Sequence, residues 1–315
     1  MSGAKIAATV FLVLGLLSGS LFFYRDEWPF SDLIKEFYAN VSAEFVSIGI
    51  TVLVIENLNE KQQTRQLKAQ LIRELGSPSN GFALRALREL QVSGAVTDGS
   101  LNGISLEESD LQKANLQSAS LKGVIFNEAK LNSANLEEAD LAGSEMIKTQ
   151  LQRIKCHNTI FSSAKMLGAN FSGASLKSCQ FNGSILKKAV MPNVKLNGST
   201  LVGADLIGAD LRSSNLSECV LNQAKLEDSI LSEVNFTEAQ LEGATLLRAS
   251  LERATLQKAN LTRANLSLSN LKGANLEEGI LQGANLAGAR YDSETKWPGN
   301  FDPQLAGAVL DEGNS

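Results

Sequence analysis

The sequence contains few of the residues that carry catalysis, metal binding or cross-linking. Its 315 residues include one His, three Cys and five Pro, and aromatic residues make up 6%. Three Cys cannot build a disulfide scaffold, and a single His outside any Cys/His cluster argues against a zinc site. We therefore predict neither a metal nor a cofactor. The 43% hydrophobic content is enough to bury a core, which excludes a disordered chain.

The chain also carries little charge of either sign, and its net charge of −5 is unevenly placed. Residues 101–291 carry 19 Lys/Arg and 19 Asp/Glu, so this part is neutral. Residues 292–315 carry one and five, which predicts an acidic C-terminal segment. A nucleic-acid partner or a nucleic-acid mimic would each require a strongly charged surface.

Long apolar runs occur only near the N-terminus. Residues 6–24 hold no charge, and a bilayer span needs about 20 apolar residues. A second run, 45–55, reaches 19 residues when it is extended back to residue 37, with Glu44 inside. The first run could instead be a cleaved signal peptide, and the second a buried or interfacial helix. We predict a transmembrane region over 1–58, with spans at 6–24 and about 39–57.

Gly15 and Gly19 form a GxxxG pair in the first apolar run. Small residues at this spacing let two helices approach closely. The pair predicts either packing against Ser47 and Gly49 of the second run or self-dimerisation. Lys and Arg follow the second run closely, which favours both termini in the cytoplasm. We expect a bacterial inner or internal membrane, with the C-terminal part of the chain facing the cytoplasm.

Residues 59–100 predict a helical connector. Leu67, Leu71 and Leu75 recur at the spacing of one helix face, and Gly76 is a suitable helix stop. A short helix over 79–93 follows, which bears Phe82. We expect it to cap the domain that comes next.

From residue 101 the chain repeats every five residues. Taking every fifth position from 101 to 286 gives 38 centres, nearly all Leu, Phe or Met, and a small residue stands two positions before most of them. Neither a helix nor a flat strand has this period. Units this small must stack and share one core, as in a solenoid. Ile154 breaks the small-residue rule beside the small centre Cys156, which we interpret as volume compensation within that unit.

The repeated unit resembles that of the pentapeptide-repeat family, A-(D/N)-L-x-x, as in Ala114-Asn115-Leu116 and Ala204-Asp205-Leu206. The resemblance covers 101–291 and implies an all-β solenoid, a right-handed quadrilateral β-helix with four units per coil. Glycine fills seven of ten positions in the column 103, 123, 143 and onward, which weakly supports a 20-residue coil. The 38 units make about 9–10 coils and a rod of about 45 Å. The apolar and helical residues before the repeats resemble a membrane hairpin and connector found in some members.

The ends of a β-helix expose unpaired backbone and must be covered. Residues 292–315 resemble a common terminus of the family, and we predict that Trp297 and Phe301 form the C-terminal cap. The three Cys should point inward as inert thiols. His157 should point outward and has no obvious partner. The Asp residues of the repeat, such as Asp140, are expected wherever the unit requires Asp or Asn, so they do not indicate acid/base catalysis.

Sorting the outward residues by face of the four-sided coil singles out one face. The first face, centred on 106, 126 and every twentieth residue after, carries the largest number of aliphatic side chains. They form our candidate interaction face: Ile125, Ile147, Leu167, Ile185, Ile207, Leu247 and Leu268. Contiguous apolar surface marks interaction sites. The alternative is that these aliphatic residues are incidental and lie scattered among charged ones.

The sequence therefore predicts a membrane-anchored, non-catalytic scaffold that binds an unidentified protein partner or a second copy of itself. No nucleic acid and no small-molecule substrate are expected. The alternative is a DNA mimic that modulates a topoisomerase, as the resemblance implies for some relatives. The neutral repeats disfavour it.

Overall fold

The structure is a computed structural model that describes residues 3–22 and 31–312. The chain divides into two compact units, Met1–Gln70 and Leu71–Ser315. Three helices come first, α1 (Gly3–Phe22), α2 (Ser31–Leu75) and α3 (Asn80–Val92). Two short strands come last, β1 (Arg290–Tyr291) and β2 (Val309–Leu310). The last two residues of the first predicted span, 23 and 24, lie outside the described residues.

In the first unit, α1 and α2 form an antiparallel hairpin. The rings of Phe11 and Phe45 stack with their centres 5.8 Å apart. Farther along, Lys5 Nζ lies 2.6 Å from Glu60 Oε1. The partner on α2 moves from Phe45 to Glu60 as the residue on α1 moves from Phe11 back to Lys5, so the two helices run antiparallel. The boundary placed after residue 58 falls inside α2, because the second apolar run and the polar connector form one continuous helix.

The helices differ in how well they fit a bilayer. Within the described residues, the stretch Ala39–Leu75 of α2 is long and apolar enough to cross a membrane, with a mean hydropathy of 1.6 in its most apolar part. Only 6% of that part is buried, so it is not the core helix of a globular domain. The apolar stretch Gly3–Ser18 of α1 is shorter.

The second unit is a β-solenoid with a coil of 20 residues. Parallel bridges join the residues that precede the centres, from 105 to 270, to the residue 20 positions later, as in Ser105↔Ile125 and Asn115↔Asn135. Each coil takes part in four such ladders, which run along the rod and define its four faces. Backbone groups bond from coil to coil, with Ile125 N–H donating to Ile104 O at 3.0 Å. The main chain therefore satisfies its own polar groups along the rod.

A tight turn follows every centre. The residue two positions after each centre has a positive φ in all 38 units from 103 to 288, and 13 of these residues are glycine. The second central residue of a type II turn needs this conformation, which glycine adopts without strain. The glycine column thus pointed to the right coil length. However, the turn recurs at every corner, including those with residues such as Ser133 at φ 59°.

The core fills with one large and one small side chain per unit. The third face, centred on 116, 136 and every twentieth residue after, departs from this rule at Ile154, Val194 and Val234, all at most 1% exposed. Val234 precedes the large centre Phe236, so compensation within a unit is not the rule. The branched residues lie 40 positions apart, and the intervening coils carry Ala174 and Ser214. On this face, branched and small residues therefore alternate between successive coils from 154 to 234.

Both ends of the solenoid are covered by chain segments. At the N-terminal end, α3 buries Ala83, Ala86, Leu87 and Leu90, although Phe82 is 58% exposed. At the C-terminal end, β2 pairs in parallel with β1. Trp297 stacks on Phe301 and meets Tyr291 edge-on, each with ring centres 5.4 Å apart.

The predicted acidic C-terminal segment is largely part of this cap. Asp311 Oδ2 lies 3.0 Å from Lys272 Nζ. Asp292 Oδ1 accepts hydrogen bonds from Gly273 N–H at 2.9 Å and from the Thr295 hydroxyl at 2.9 Å. These carboxylates close the end of the rod and do not form a free anionic tail.

Candidate interaction surfaces

The Asp and Asn residues of the repeat have a structural role. Each precedes a centre, and its side-chain oxygen accepts the N–H of the residue two positions on. Asn235 Oδ1 accepts from Thr237 N–H at 2.9 Å, and Asp140 Oδ1 from Ala142 N–H at 3.1 Å. This local bond stabilises the turn at the corner. The Asp residues of the repeat are thus accounted for by the fold.

The first face presents its seven aliphatic side chains unevenly. Leu268 is 56% exposed, Leu167 42% and Ile185 38%. The other four are half-buried: Ile125, Ile147, Ile207 and Leu247. Ile147 and Leu167 occupy the same position on successive coils, so they form the one directly stacked pair in that column.

Ion pairs run between these aliphatics. Glu145 Oε1 lies 2.8 Å from Lys165 Nζ, and that hydrogen bond holds the pKa of Glu145 below its ordinary value. Asp228 and Arg248 pair at 2.7 Å, which lowers the pKa of Asp228 in the same way. Two more pairs join Lys148 to Glu128 and Lys187 to Asp205. The first face is therefore an apolar stripe interleaved with paired charges.

The fourth face, centred on 121, 141 and every twentieth residue after, has an uncharged stretch that was not predicted from the sequence. Its four consecutive units centred on 161, 181, 201 and 221 contain no charged residue. Their outward ladder is formed by Ile160, Gln180, Thr200 and Val220, joined by parallel bridges. Depletion of charge is typical of the centre of a protein interface. Sorting the charges by column would have revealed this surface in the sequence.

His157 has a partner, contrary to the expectation from the sequence. Its Nδ1 lies 3.2 Å from Glu137 Oε1 on the preceding coil, and its Nε2 lies 3.2 Å from Ser175 Oγ on the next. The residue that precedes it by 20 positions supplies the carboxylate, so coil stacking makes the pair. His157 thus links three coils on the third face.

The three cysteines lie inside the solenoid as free thiols. Burial raises the pKa of Cys179 and of Cys219 to about 12, and raises that of Cys156 well above its ordinary value. Cys219 Sγ donates to Leu196 O at 3.0 Å. Thiols held in this protonated form are poor nucleophiles. Within residues 3–22 and 31–312, no group of three or more His, Cys, Asp or Glu side chains could hold a metal ion.

Gly15 and Gly49 lie where α1 and α2 pack closely together. A Cβ on Gly15 would lie 2.7 Å from Val46 Cγ2 and 3.1 Å from Ser42 O. A Cβ on Gly49 would lie 2.8 Å from Leu12 Cγ. Gly15 thus packs within the chain, against Ser42 and Val46 and not against Ser47 and Gly49. Gly19 belongs to α1, but its surroundings lie outside the described part of the structure.

Five-residue units, four faces, buried centres and Asx-stabilised corners together define a quadrilateral β-solenoid. The profile of the family described as pentapeptide repeats matches the chain in eight copies, over residues 97–127, 126–155, 150–191, 189–228, 229–267 and 269–290. These matches cover more than half of the sequence, and the chain belongs to the pentapeptide-repeat family.

Solved structures of this family resemble the chain. The pentapeptide repeat protein alr5209 from Nostoc PCC 7120 is 36% identical, over 32% of this chain and 84% of its own, with a TM-score of 0.32. QnrB1, a plasmid-mediated fluoroquinolone resistance protein, is 20% identical over 56% of this chain and 89% of its own, with a TM-score of 0.43. HetL from Nostoc sp. PCC 7120, described as involved in heterocyst differentiation regulation, is 23% identical over 72% and 98%, with a TM-score of 0.30.

At these TM-scores the superpositions carry no functional information about this chain. No curated protein sequence matches it.

Proposed function

We propose that this protein is a membrane-anchored, non-catalytic scaffold. In this proposal the α1–α2 hairpin inserts into a bilayer, and the solenoid presents outward residues to a protein partner. The right-handed winding implied by the family resemblance is part of the same proposal.

The observation that carries the anchoring is the apolar surface of the hairpin. On α1, Leu16 is 68% exposed, and Ile6, Val10 and Leu17 are at least half exposed. A shallow groove on this helix is lined by Ile6, Thr9, Val10, Val13 and Leu14. On α2, Ile50, Val54 and Ile55 are also at least half exposed. Exposed apolar area costs about 25 cal/mol per Å² in water, and a bilayer removes that cost.

The dimensions of the hairpin fit the same environment. The 20 residues of α1 are about 30 Å long, close to the thickness of a hydrocarbon core, and its apolar stretch Gly3–Ser18 accounts for about 24 Å of that length. At one end of the hairpin Lys5 pairs with Glu60 on α2, where α2 turns polar. Lys61, Arg65 and Lys68 follow at once, which favours a cytoplasmic position for that end.

The absence of catalysis is inferred from what the solenoid does with its polar residues. Its centres fill the interior, and its Asp and Asn side chains hold corners. An enzyme needs a cleft with convergent polar groups. A filled rod with regular flat faces instead suits the binding of an extended partner surface. We assign that role to the first face, around Ile147 and Leu167.

The DNA-mimic alternative gains no support from the surface. The repeat region has equal numbers of acidic and basic residues. Many of its carboxylates pair with a cation one coil away, as Asp228 does with Arg248. A phosphate-like surface needs unpaired negative charge along the rod.

Extraction of cell membranes with alkaline carbonate tests the anchoring. The full chain should stay in the membrane pellet. Val13→Lys with Leu17→Lys should shift it to the supernatant, because charge at the centre of a span is costly. Gln62→Lys with Gln66→Lys, on the polar part of α2, is the matched control and should not. Recovery of the unmodified chain in the supernatant would refute the anchor.

A further inference from the structure

The side of α2 that faces away from α1 carries polar residues in the middle of the apolar stretch. Asn40, Glu44, Ser47 and Thr51 follow one another at spacings of four, three and four residues, and all four are exposed. At about 100° per residue these positions lie in one stripe along the helix. We call it the α2 polar stripe.

This stripe lies opposite the surface that holds the hairpin together. The residues of α2 that meet α1 include Ser42, Phe45, Val46 and Gly49. Their mean direction is about 180° from that of the α2 polar stripe. The outward side of α1, by contrast, is apolar and suits lipid. The α2 polar stripe is a narrow band flanked by exposed aliphatic residues such as Ile48 and Ile55.

Glu44 lies well inside the hairpin. The residues Ser42 and Val46, on either side of it in sequence, meet Gly15 of α1. Gly15 is seven residues from the end of α1 at Phe22, so Glu44 lies about 10 Å inside that end. In the part of the chain that the structure describes, the side chains of Glu44 and Asn40 make no hydrogen bond or ion pair. Polar side chains at this depth in a bilayer normally face another helix or a water-filled cavity.

We propose that the α2 polar stripe is a contact surface inside the membrane for a second copy of this chain. The proposal rests on the membrane anchoring proposed above. Two copies inserted in the same direction place their α2 helices parallel, so that equal-numbered residues meet at the two-fold axis. The four/three spacing is that of the contact seam between parallel helices.

The chemistry of the stripe is self-complementary. The amide of Asn40 and the hydroxyl of Ser47 each donate and accept, so each pairs with its own copy. The Glu44 carboxyl lies between these two groups as an acceptor. The Thr51 hydroxyl donates to Ser47 O at 2.8 Å within α2, and its oxygen remains able to accept. If the stripe bound a positively charged partner, the Glu44 carboxylate alone would be enough. The amide and hydroxyl groups aligned with it favour a contact between two identical helices. Interhelical hydrogen bonds of this kind drive association where lipid removes the hydrophobic force.

Cysteine cross-linking of the full chain in its membranes tests this contact. Ser47→Cys should form a disulfide-linked dimer of twice 33.7 kDa on mild oxidation. The native thiols are buried and give little background. Val13→Cys is the matched control, because Val13 lies at a similar depth on the outward side of α1. It should cross-link far less.

Variants of the stripe separate a specific contact from chance collision. In the Ser47→Cys background, Asn40→Leu and Glu44→Leu should each weaken dimerisation about threefold, since single interhelical hydrogen bonds in membranes are modest. Glu44→Gln should keep it, because the amide also donates and accepts. Equal cross-linking of the leucine variants and the parent would overturn the proposal.

The failure of the anchor and the failure of the contact give different results. If carbonate extracts the unmodified chain, the anchor is wrong and the contact falls with it. If the chain stays in the pellet while Ser47→Cys cross-links no more than Val13→Cys, the anchor stands and self-association is refuted. The stripe would then face a helix of another protein.

Discussion

Replacing Ala174 by Val should destabilise the solenoid more than the same replacement at Ala189. Both residues are fully buried at the small position of their units. They differ in the equivalent residues one coil away on either side. Ala174 lies between Ile154 and Val194, whereas Ala189 lies between two alanines, Ala169 and Ala209. The pair therefore tests whether volume is balanced between coils.

The size of the difference follows from packing. Successive coils are about 4.8 Å apart, so side chains in one column touch. Valine adds two methyl groups, which stabilise by about 0.8 kcal/mol each where there is room to bury them. Where there is none, added volume costs about 1–3 kcal/mol. We expect Ala174→Val to lower the free energy of unfolding by about 1–3 kcal/mol and Ala189→Val to change it by less than about 1 kcal/mol.

Urea denaturation of the unit Leu71–Ser315, followed by circular dichroism, measures both changes. The slope with urea should match that of the parent, because a changed slope would indicate a change in cooperativity. Adding Val194→Ala to Ala174→Val should remove part of the crowding. A double-mutant cycle should then give a favourable coupling of about 1 kcal/mol between the two sites.

Equal destabilisation by Ala174→Val and Ala189→Val would refute the reasoning. So would a coupling near zero between positions 174 and 194. Either result would mean that the alternation of large and small residues on the third face has no packing cause.

Three further predictions concern the cap, the thiols and the first face. Burial, the largest influence, raises the pKa of Asp292, but hydrogen bonds from Gly273, Thr295 and Glu294 outweigh it and leave the pKa lowered. Asp292→Ala should therefore destabilise the cap by about 1 kcal/mol. Asp292→Asn should do so less, and the loss should vanish as the pH falls through the lowered pKa; urea unfolding followed by Trp297 fluorescence measures this. The folded protein should resist alkylation by iodoacetamide at pH 8, because burial raises the pKa of Cys179 and Cys219 to about 12. Three labels should appear by mass spectrometry after unfolding in urea, and rapid labelling of the native state would contradict the buried assignment. In the unit Leu71–Ser315, which lacks the α2 polar stripe, replacing Ile147, Leu167 and Ile207 together by Ser should abolish partner capture or association between solenoids without lowering stability. Light scattering and pull-down measure it, with Ser175, Thr237 and Gln257 replaced by Ala on the third face as control, and unchanged association would remove the first face from consideration.

Most of the solenoid could be predicted from the sequence because its inward positions have little freedom. A period of five with one large and one small apolar residue per unit admits few packings. The centres and small positions followed directly, and so did the inward direction of Cys156. The corner glycines indicated the coil length, although the structure shows that their cause is a turn shared by every unit.

Contacts between coils were not predicted, although they follow from the 20-residue coil. Once 20 residues are known to complete a coil, residues 20 apart become neighbours. Glu137 and His157 are such a pair, as are Glu145 and Lys165. The same rule reveals the spacing of 40 between Ile154 and Val194. Reading the sequence in rows of 20 would have found them all.

The hairpin was harder to predict for a different reason. Its apolar run and its polar connector differ in composition, and composition suggested a boundary after residue 58. Helical backbone bonding continues across that point, so α2 extends without a break from Ser31 to Leu75. In the sequence, Glu44 stands out only as a charged residue inside a predicted span. Its alignment with Asn40 and Ser47 emerges when the side that faces α1 is known.

Four of the five positions in each unit have a structural role, which limits the positions that can bind a partner. The centre and the small residue are committed to the core, the Asp or Asn to the corner, and the residue two after the centre to a positive φ. The position directly after the centre has the fewest structural duties. On the first face this column reads Glu107, Asn127, Ile147, Leu167, Lys187, Ile207, Glu227, Leu247, Ser267 and Ala287. Since packing does not require aliphatic residues there, their presence favours selection for contact with a partner.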